Sequence, residues 1–179
     1  MAALDKRKPF YTKVSVKTAD RSIGADAQAA ISEDLTILLM EVYVMTNIEK
    51  VMDYLDKAKV FYVTTEDGDR PKCRPFSFKM IYDGKICFSC GTFKDVYKQL
   101  TANPNVEICA FDGSGNFLRY YGKAAFLTDP AAEKAALEVM PGLKNIYNEK
   151  TGRHLGVFFL KDATAEFRSL FKVEEALEM

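Results

Sequence analysis

The chain has no tryptophan and a single histidine, His154. It has no surplus charge of either sign, because 25 Lys and Arg are matched by 25 Asp and Glu. Each absence closes a route. A general nucleic-acid binder carries a basic surplus, so any basic site here must be local. No apolar run is long enough to span a membrane. The one histidine has no accompanying serine, cysteine or carboxylate motif, so it is read as a surface or packing residue. Only one C-x-x-C pair occurs, Cys87-Phe88-Ser89-Cys90. Residues three apart on a strand point to opposite faces, and no second pair accompanies these two, so no metal site is expected. Residues 1–18 are polar and lysine-rich without a secretory apolar stretch, which predicts a cytoplasmic protein with four free thiols. What is present suffices for a fold: 179 residues, 48% of them apolar, suit one domain with a single core.

The first 44 residues read differently from the rest. Residues 27–44 have a helix-like composition without clear turn punctuation. The string Met40-Glu41-Val42-Tyr43-Val44-Met45 can be encoded by a ribosome-binding sequence followed by a start codon. Met45 is therefore one expected start, with 1–44 a non-native or disordered extension. A genuine N-terminal arm packed on the domain is the equal alternative. Recognisable order begins at Met45 and defines a domain over 45–179.

Thr46 or Asn47 can cap a helix that carries Ile48, Val51, Met52 and Leu55 on one face. Residues 60–65 are β-branched and aromatic and read as a strand, followed by a turn at 66–69. A second strand is expected over 72–80, and a turn at 82–85 leads into a third over 86–89. Residues 93–102 read as a helix ended by Asn103-Pro104. Strands follow at 106–111 and 117–127, around a tight loop at 112–116. Pro130 opens a helix through Met140, and 157–160 with 164–167 supply the last strand or strands. Short hairpin-linked strands with few helices point to an antiparallel barrel, not a doubly wound sheet.

Four cations, Arg74, Lys79, Lys94 and Lys98, fall in one hairpin and the helix after it, with Phe76 and Phe78 among them. Arg74 and Lys79 are five apart, so without a bulge they face opposite sides of their strand. Pro75 removes a backbone donor and implies an edge strand or a bulge. Lys94 and Lys98 are an i, i+4 pair on one helix face. A cation in the first turn opposes the helix dipole unless an anion is also there, so Lys94 favours a phosphate site. Cations with aromatics between them suit a phosphate joined to a flat ring. Ordinary solvated lysines, clustered by composition, are the plain alternative.

From about residue 47 to 167 the chain resembles the FMN-binding split-barrel proteins related to pyridoxamine 5′-phosphate oxidase. It is most similar to short bacterial members of the nitroimidazole-resistance type. The similarity is carried by Val60 to Thr65, Gly68-Asp69-Arg70-Pro71, Arg74-Pro75-Phe76, Asp83-Gly84-Lys85, Lys94-Asp95-Val96-Tyr97-Lys98-Gln99-Leu100, Asn103-Pro104 and Leu118-Arg119-Tyr120-Tyr121-Gly122-Lys123-Ala124. The resemblance implies a mainly β fold, a six-stranded antiparallel split barrel with short flanking helices. It also implies a homodimer with FMN at the subunit interface. The R-x-x-x-x-K pattern places Arg74 near the phosphate or ribityl chain and Lys79 near the ring, with Pro75 and Phe76 between them. Ser89 and Cys90 match positions that touch the ribityl and phosphate. Lys94 and Lys98 match the helix start that grips the phosphate, and Gln99 a position near the cofactor. Phe117 stands where the oxidase has a polar flavin contact from the partner chain.

The true oxidase carries a C-terminal tryptophan and an Arg-x-His element for its vitamin substrate. This chain has no tryptophan, and Arg153-His154 lacks the pattern. The expected function is therefore an FMN-dependent oxidoreductase that takes electrons from a donor such as NAD(P)H and passes them to a small nitroaromatic or quinone-like substrate. The alternative is a non-catalytic flavin, haem or deazaflavin carrier or sensor. No catalytic residue stands out, as expected where a flavin carries the chemistry.

Overall fold

The computed structural model describes residues 45–179, so the expectations for 1–44 lie outside the described residues. The chain first forms helix α1 (Asn47–Ala58), which buries Val51 and Leu55 and leaves its charged side in solvent. Strands β1 (Phe61–Asp67) and β2 (Arg70–Phe76) follow as a hairpin, then β3 (Met80–Tyr82) and β4 (Lys85–Gly91). Helix α2 (Asp95–Ala102) leads to the hairpin of β5 (Asn105–Phe111) and β6 (Phe117–Phe126). Helix α3 (Pro130–Val139) and a 3-10 turn (Pro141–Asn145) precede β7 (Leu155–Arg168) and β8 (Val173–Glu178).

The eight strands form one antiparallel sheet in the order β2-β1-β5-β6-β7-β4-β3, with β8 added alongside β7. The two ends of that order, β2 and β3, are joined by only three residues, 77–79. Extended chain covers at most about 3.6 Å per residue, so the two ends of the sheet must lie close together. The sheet has curled round on itself, yet no ladder joins β2 to β3. It is an antiparallel split β-barrel, open between these two strands.

The expected strand over 72–80 is thus two strands. β2 pairs only with β1 and β3 only with β4, so the chain must leave one ladder before it joins the other. Pro75, which has no N–H to give, is tolerated because β2 is an edge. The expected pieces 157–160 and 164–167 are instead one strand of 14 residues. The first part of β7 pairs with β4 and its last part with β8, while β6 runs along most of its length. Gly122 sits at the register shift of β6, where an added Cβ would come within 2.7 Å of the Lys161 carbonyl oxygen. Only a residue without a side chain permits that approach.

The barrel interior holds one core. Phe88 packs with Phe61, Tyr120 and Phe158, and α1 and α2 close the core with Val51, Leu55, Val96 and Leu100. β4 is buried on both faces. Ile86, Phe88 and Cys90 point into the barrel, while Cys87 packs outward beneath α3, against Ala132 and Ala136. Asp129 caps α3 through the Ala131 N–H at 2.9 Å and accepts the Tyr82 hydroxyl at 2.6 Å, which ties the helix to β3.

The candidate anion cleft at the barrel split

Where β2 leaves the barrel, a cleft of about 400 Å³ opens. That volume lies within the usual range for small-molecule sites, about 300–1,000 Å³. One wall comes from the end of β2 and the connection after it: Arg74, Pro75, Phe76, Ser77 and Phe78. Ser89 and Cys90 of β4 form the floor, and Lys94 and Val96 stand at the start of α2. The facing wall is Met140, Leu143 and Tyr147, carried by the segment between α3 and β7, with Leu155 at the start of β7.

Arg74 is fixed from behind. Its Nη1 donates to the Thr65 hydroxyl at 2.6 Å and to the Val63 carbonyl at 3.2 Å. Its Nη2 donates to Gln99 Oε1 at 2.7 Å, and the Thr65 hydroxyl donates to the same oxygen at 2.7 Å. Thr65 and Gln99 are both buried, so this closed ring of bonds holds the guanidinium in one place. Arg has five N–H donors. Three are used, which leaves Nε and one Nη2 hydrogen for a ligand. Burial lowers the Arg74 pKa, but a guanidinium remains charged at neutral pH. Among the described residues neither Arg74 nor Lys94 has a carboxylate partner. Lys94 also precedes the free N–H groups of the first turn of α2, and no side chain caps them.

Arg74, Pro75, Phe76, Ser89, Cys90 and Lys94 therefore share one cleft, six of the nine residues singled out in the sequence. The other three stand elsewhere. Gln99 lies behind Arg74 and reaches the site only through it. Lys79 points to α1, where its Nζ is 2.7 Å from Asp56 and its side chain is 9% exposed. Lys98 faces Asp95 at 3.6 Å and borders a separate surface depression with Glu66 and Asp67. Of the residues that the sequence reading passed over as site residues, Met140 ends the expected helix, and Leu143 and Tyr147 fall in a stretch without helical or strand period. Nothing in their spacing marks them.

The thiols are structural. Cys87 and Cys90 are buried, and burial pushes them up to about 11 and about 12, although Lys94 and Arg74 act the other way on Cys90. Burial likewise raises Cys109, while Cys73 is exposed. The thiolate is the reactive form. Native protein at about pH 8 should therefore release one fast equivalent from the thiol reagent DTNB, from Cys73, and Cys87 and Cys90 should react only after unfolding. Three or more fast equivalents would contradict this placement. His154 is 65% exposed and 3.5 Å from Glu133, outside the cleft.

A split barrel with a cation-bearing cleft beside its open seam defines the class of protein. Residues 48–165 match the family model described as pyridoxamine 5′-phosphate oxidase, and the chain belongs to that family. A NimC/NimA family protein of Clostridium acetobutylicum is 30% identical over 75% of this chain and 95% of its own, with a TM-score of 0.67. General stress protein 26 of Bacillus anthracis shares the fold at 13% identity, TM-score 0.56, over 75% of this chain and all of its own. A haem-binding protein of Mycobacterium smegmatis does so at 13% identity, TM-score 0.57, over 76% of this chain and 60% of its own. Among curated proteins no match is found. No described helix is long and apolar enough to cross a membrane, and no described group of His, Cys, Asp and Glu is arranged to hold a metal.

Proposed function

We propose that the protein is an FMN-binding flavoprotein, an oxidoreductase that acts on a small flat substrate such as a nitroaromatic or a quinone. The observation that carries this reading is the guanidinium of Arg74. A half-buried cation without a carboxylate partner, locked by three hydrogen bonds, beside Lys94 and an uncapped helix start, calls for an anion. The apolar residues that continue the cleft, Phe76, Phe78, Met140 and Leu143, suit a flat ring next to that anion. The residues present therefore fit a phosphorylated flavin. Arg74, Lys94 and the α2 amides would hold the phosphate, and Ser77 and Ser89 offer hydroxyls to a polyol chain. A bound flavin would supply the electron transfer, with NAD(P)H as one donor. The protein's part is to fix the anion, exclude water along the apolar wall and leave one side open to substrate. A homodimer that closes the cleft from a second copy belongs to the same reading.

The competing reading is a non-catalytic carrier. The Mycobacterium smegmatis neighbour is a haem-binding protein. Among the cleft residues Cys90, Met140 and Tyr147, but no histidine, are of types that ligate haem iron, so haem is titrated beside FMN. The purified full chain should be yellow, or should turn yellow and quench flavin fluorescence when FMN is added, at one FMN per chain. Reduction of the bound flavin by NADH or NADPH, followed by turnover with quinone or nitroaromatic acceptors, separates enzyme from carrier. Protein that neither carries nor takes up FMN defeats the reading.

A further inference from the structure

Tyr147 is buried to all but 6% and lines the cleft, yet among the described residues its hydroxyl has no hydrogen-bond partner. Its position can be fixed from Gly91. A Cβ on that glycine would lie 3.0 Å from Tyr147 Oη and 2.8 Å from Phe93 Cε1. Gly91 is the last residue of β4, and its carbonyl accepts the Lys94 N–H at 3.0 Å as the chain turns into α2. The phenol therefore stands at the anion end of the cleft, beside the start of α2. Arg153 is there too: its guanidinium lies 5.0 Å from the Phe93 ring, and Phe93 packs against Tyr147 with ring centres 6.3 Å apart. Among the described residues Arg153 has no carboxylate partner. Burial, and to a lesser degree Cys90, raises the Tyr147 pKa, with Arg153 opposing, so at neutral pH the group is a neutral O–H donor.

A hydroxyl on a nearly buried side chain of the cleft lining, with no protein acceptor among the described residues, is available to donate to a ligand at that end of the cleft. We propose that Tyr147 donates its hydroxyl proton to the anionic end of the ligand, with Arg153 adding charge behind it. The segment between α3 and β7 then makes the cleft selective for a phosphomonoester over its unphosphorylated counterpart. This rests on the flavin reading for the identity of the ligand, but not for the chemistry of the anion. Tyr147 and Arg153 both come from the stretch of chain that also supplies Met140 and Leu143. One segment thus sets the apolar wall and the anion end together.

The test compares wild-type protein with Tyr147→Phe, titrated with FMN, with riboflavin and with inorganic phosphate. The phenylalanine keeps the ring against Phe93 and removes only the donor. FMN affinity should fall about tenfold or more, with riboflavin affinity unchanged. Arg153→Gln should give a smaller loss in the same direction, with thermal midpoints of both variants near wild type. Equal losses for FMN and riboflavin would put the hydroxyl on the ring and overturn the proposal, as would no loss at all. If wild type takes up no flavin but broadens the phosphorus NMR line of inorganic phosphate more than Tyr147→Phe does, the flavin reading falls and this inference stands. If FMN binds both proteins equally, the flavin reading stands and this inference falls; if wild type binds neither flavin nor phosphate, both fall.

Discussion

Arg74→Ala should lower FMN affinity by about a hundred- to ten-thousandfold, more than any other single change in the cleft. Two free N–H donors on a fixed cation are worth about 1.5–3 kcal/mol each toward an anion, and each 1.4 kcal/mol is a factor of ten. The change acts at two levels that can be separated. It removes the charge, and it leaves Gln99 Oε1 with only the Thr65 hydroxyl as donor. Arg74→Lys keeps the charge but cannot reach Thr65, Val63 and Gln99 at once from one ammonium, so an intermediate loss is expected. Gln99→Ala keeps the guanidinium but removes the acceptor that orients it, and should give a smaller loss again. Lys98→Ala, on a side chain that faces Asp95 away from the cleft, should change affinity little. Fluorescence titration on protein shown by urea unfolding to be folded measures all four. Wild-type affinity in Arg74→Ala would remove the observation on which the proposed function stands.

That ordering of effects could not be read from the sequence. The R-x-x-x-x-K spacing puts Arg74 and Lys79 on opposite sides only of a continuous strand, whereas Arg74 lies on β2 and Lys79 in the connection after it. It does not say which of them keeps a partner. Lys79 finds Asp56, which lies on a helix more than twenty residues earlier, whereas Arg74 finds only neutral acceptors. The barrel itself was legible, because short alternating strands and hairpin turns are local signals. The break between β2 and β3 was not, because it follows from closure of the whole sheet, which places those strands at opposite ends of the order. The facing wall of the cleft was hidden for a related reason. Residues 141–154 pack by tertiary contact in turns and a 3-10 segment, so Tyr147 carries no periodic signal. The C-terminal strand β8 was missed because half of Val173–Glu178 is acidic and only Leu177 is buried, so alternation hardly shows.

Phe88→Ala should cost about 3–5 kcal/mol of stability, the usual loss when a fully buried aromatic is truncated. Small proteins hold only about 5–15 kcal/mol in total, so much of the fold's margin would go. The position is extreme for a reason that composition cannot give. Of the 13 phenylalanines, Phe88 has 0% exposure and touches three other rings, with centroids 5.5 Å from Phe61, 5.7 Å from Phe158 and 6.3 Å from Tyr120. It lies on a strand buried on both faces, so neither side can collapse freely into the space. Phe171, at the tip of the β7–β8 hairpin, is 94% exposed, and Phe171→Ala should change stability by less than about 0.5 kcal/mol. Urea unfolding without flavin should show a lower midpoint for Phe88→Ala at unchanged slope. Added FMN should then raise the midpoints of wild type and variant alike, because the ligand binds only folded chains. A recovery in Phe88→Ala much smaller than in wild type would mean that the cavity has also disturbed Ser89 and Cys90, its neighbours on β4 and the floor of the cleft. Equal recovery would show that the barrel core and the cleft share a strand but are energetically separate.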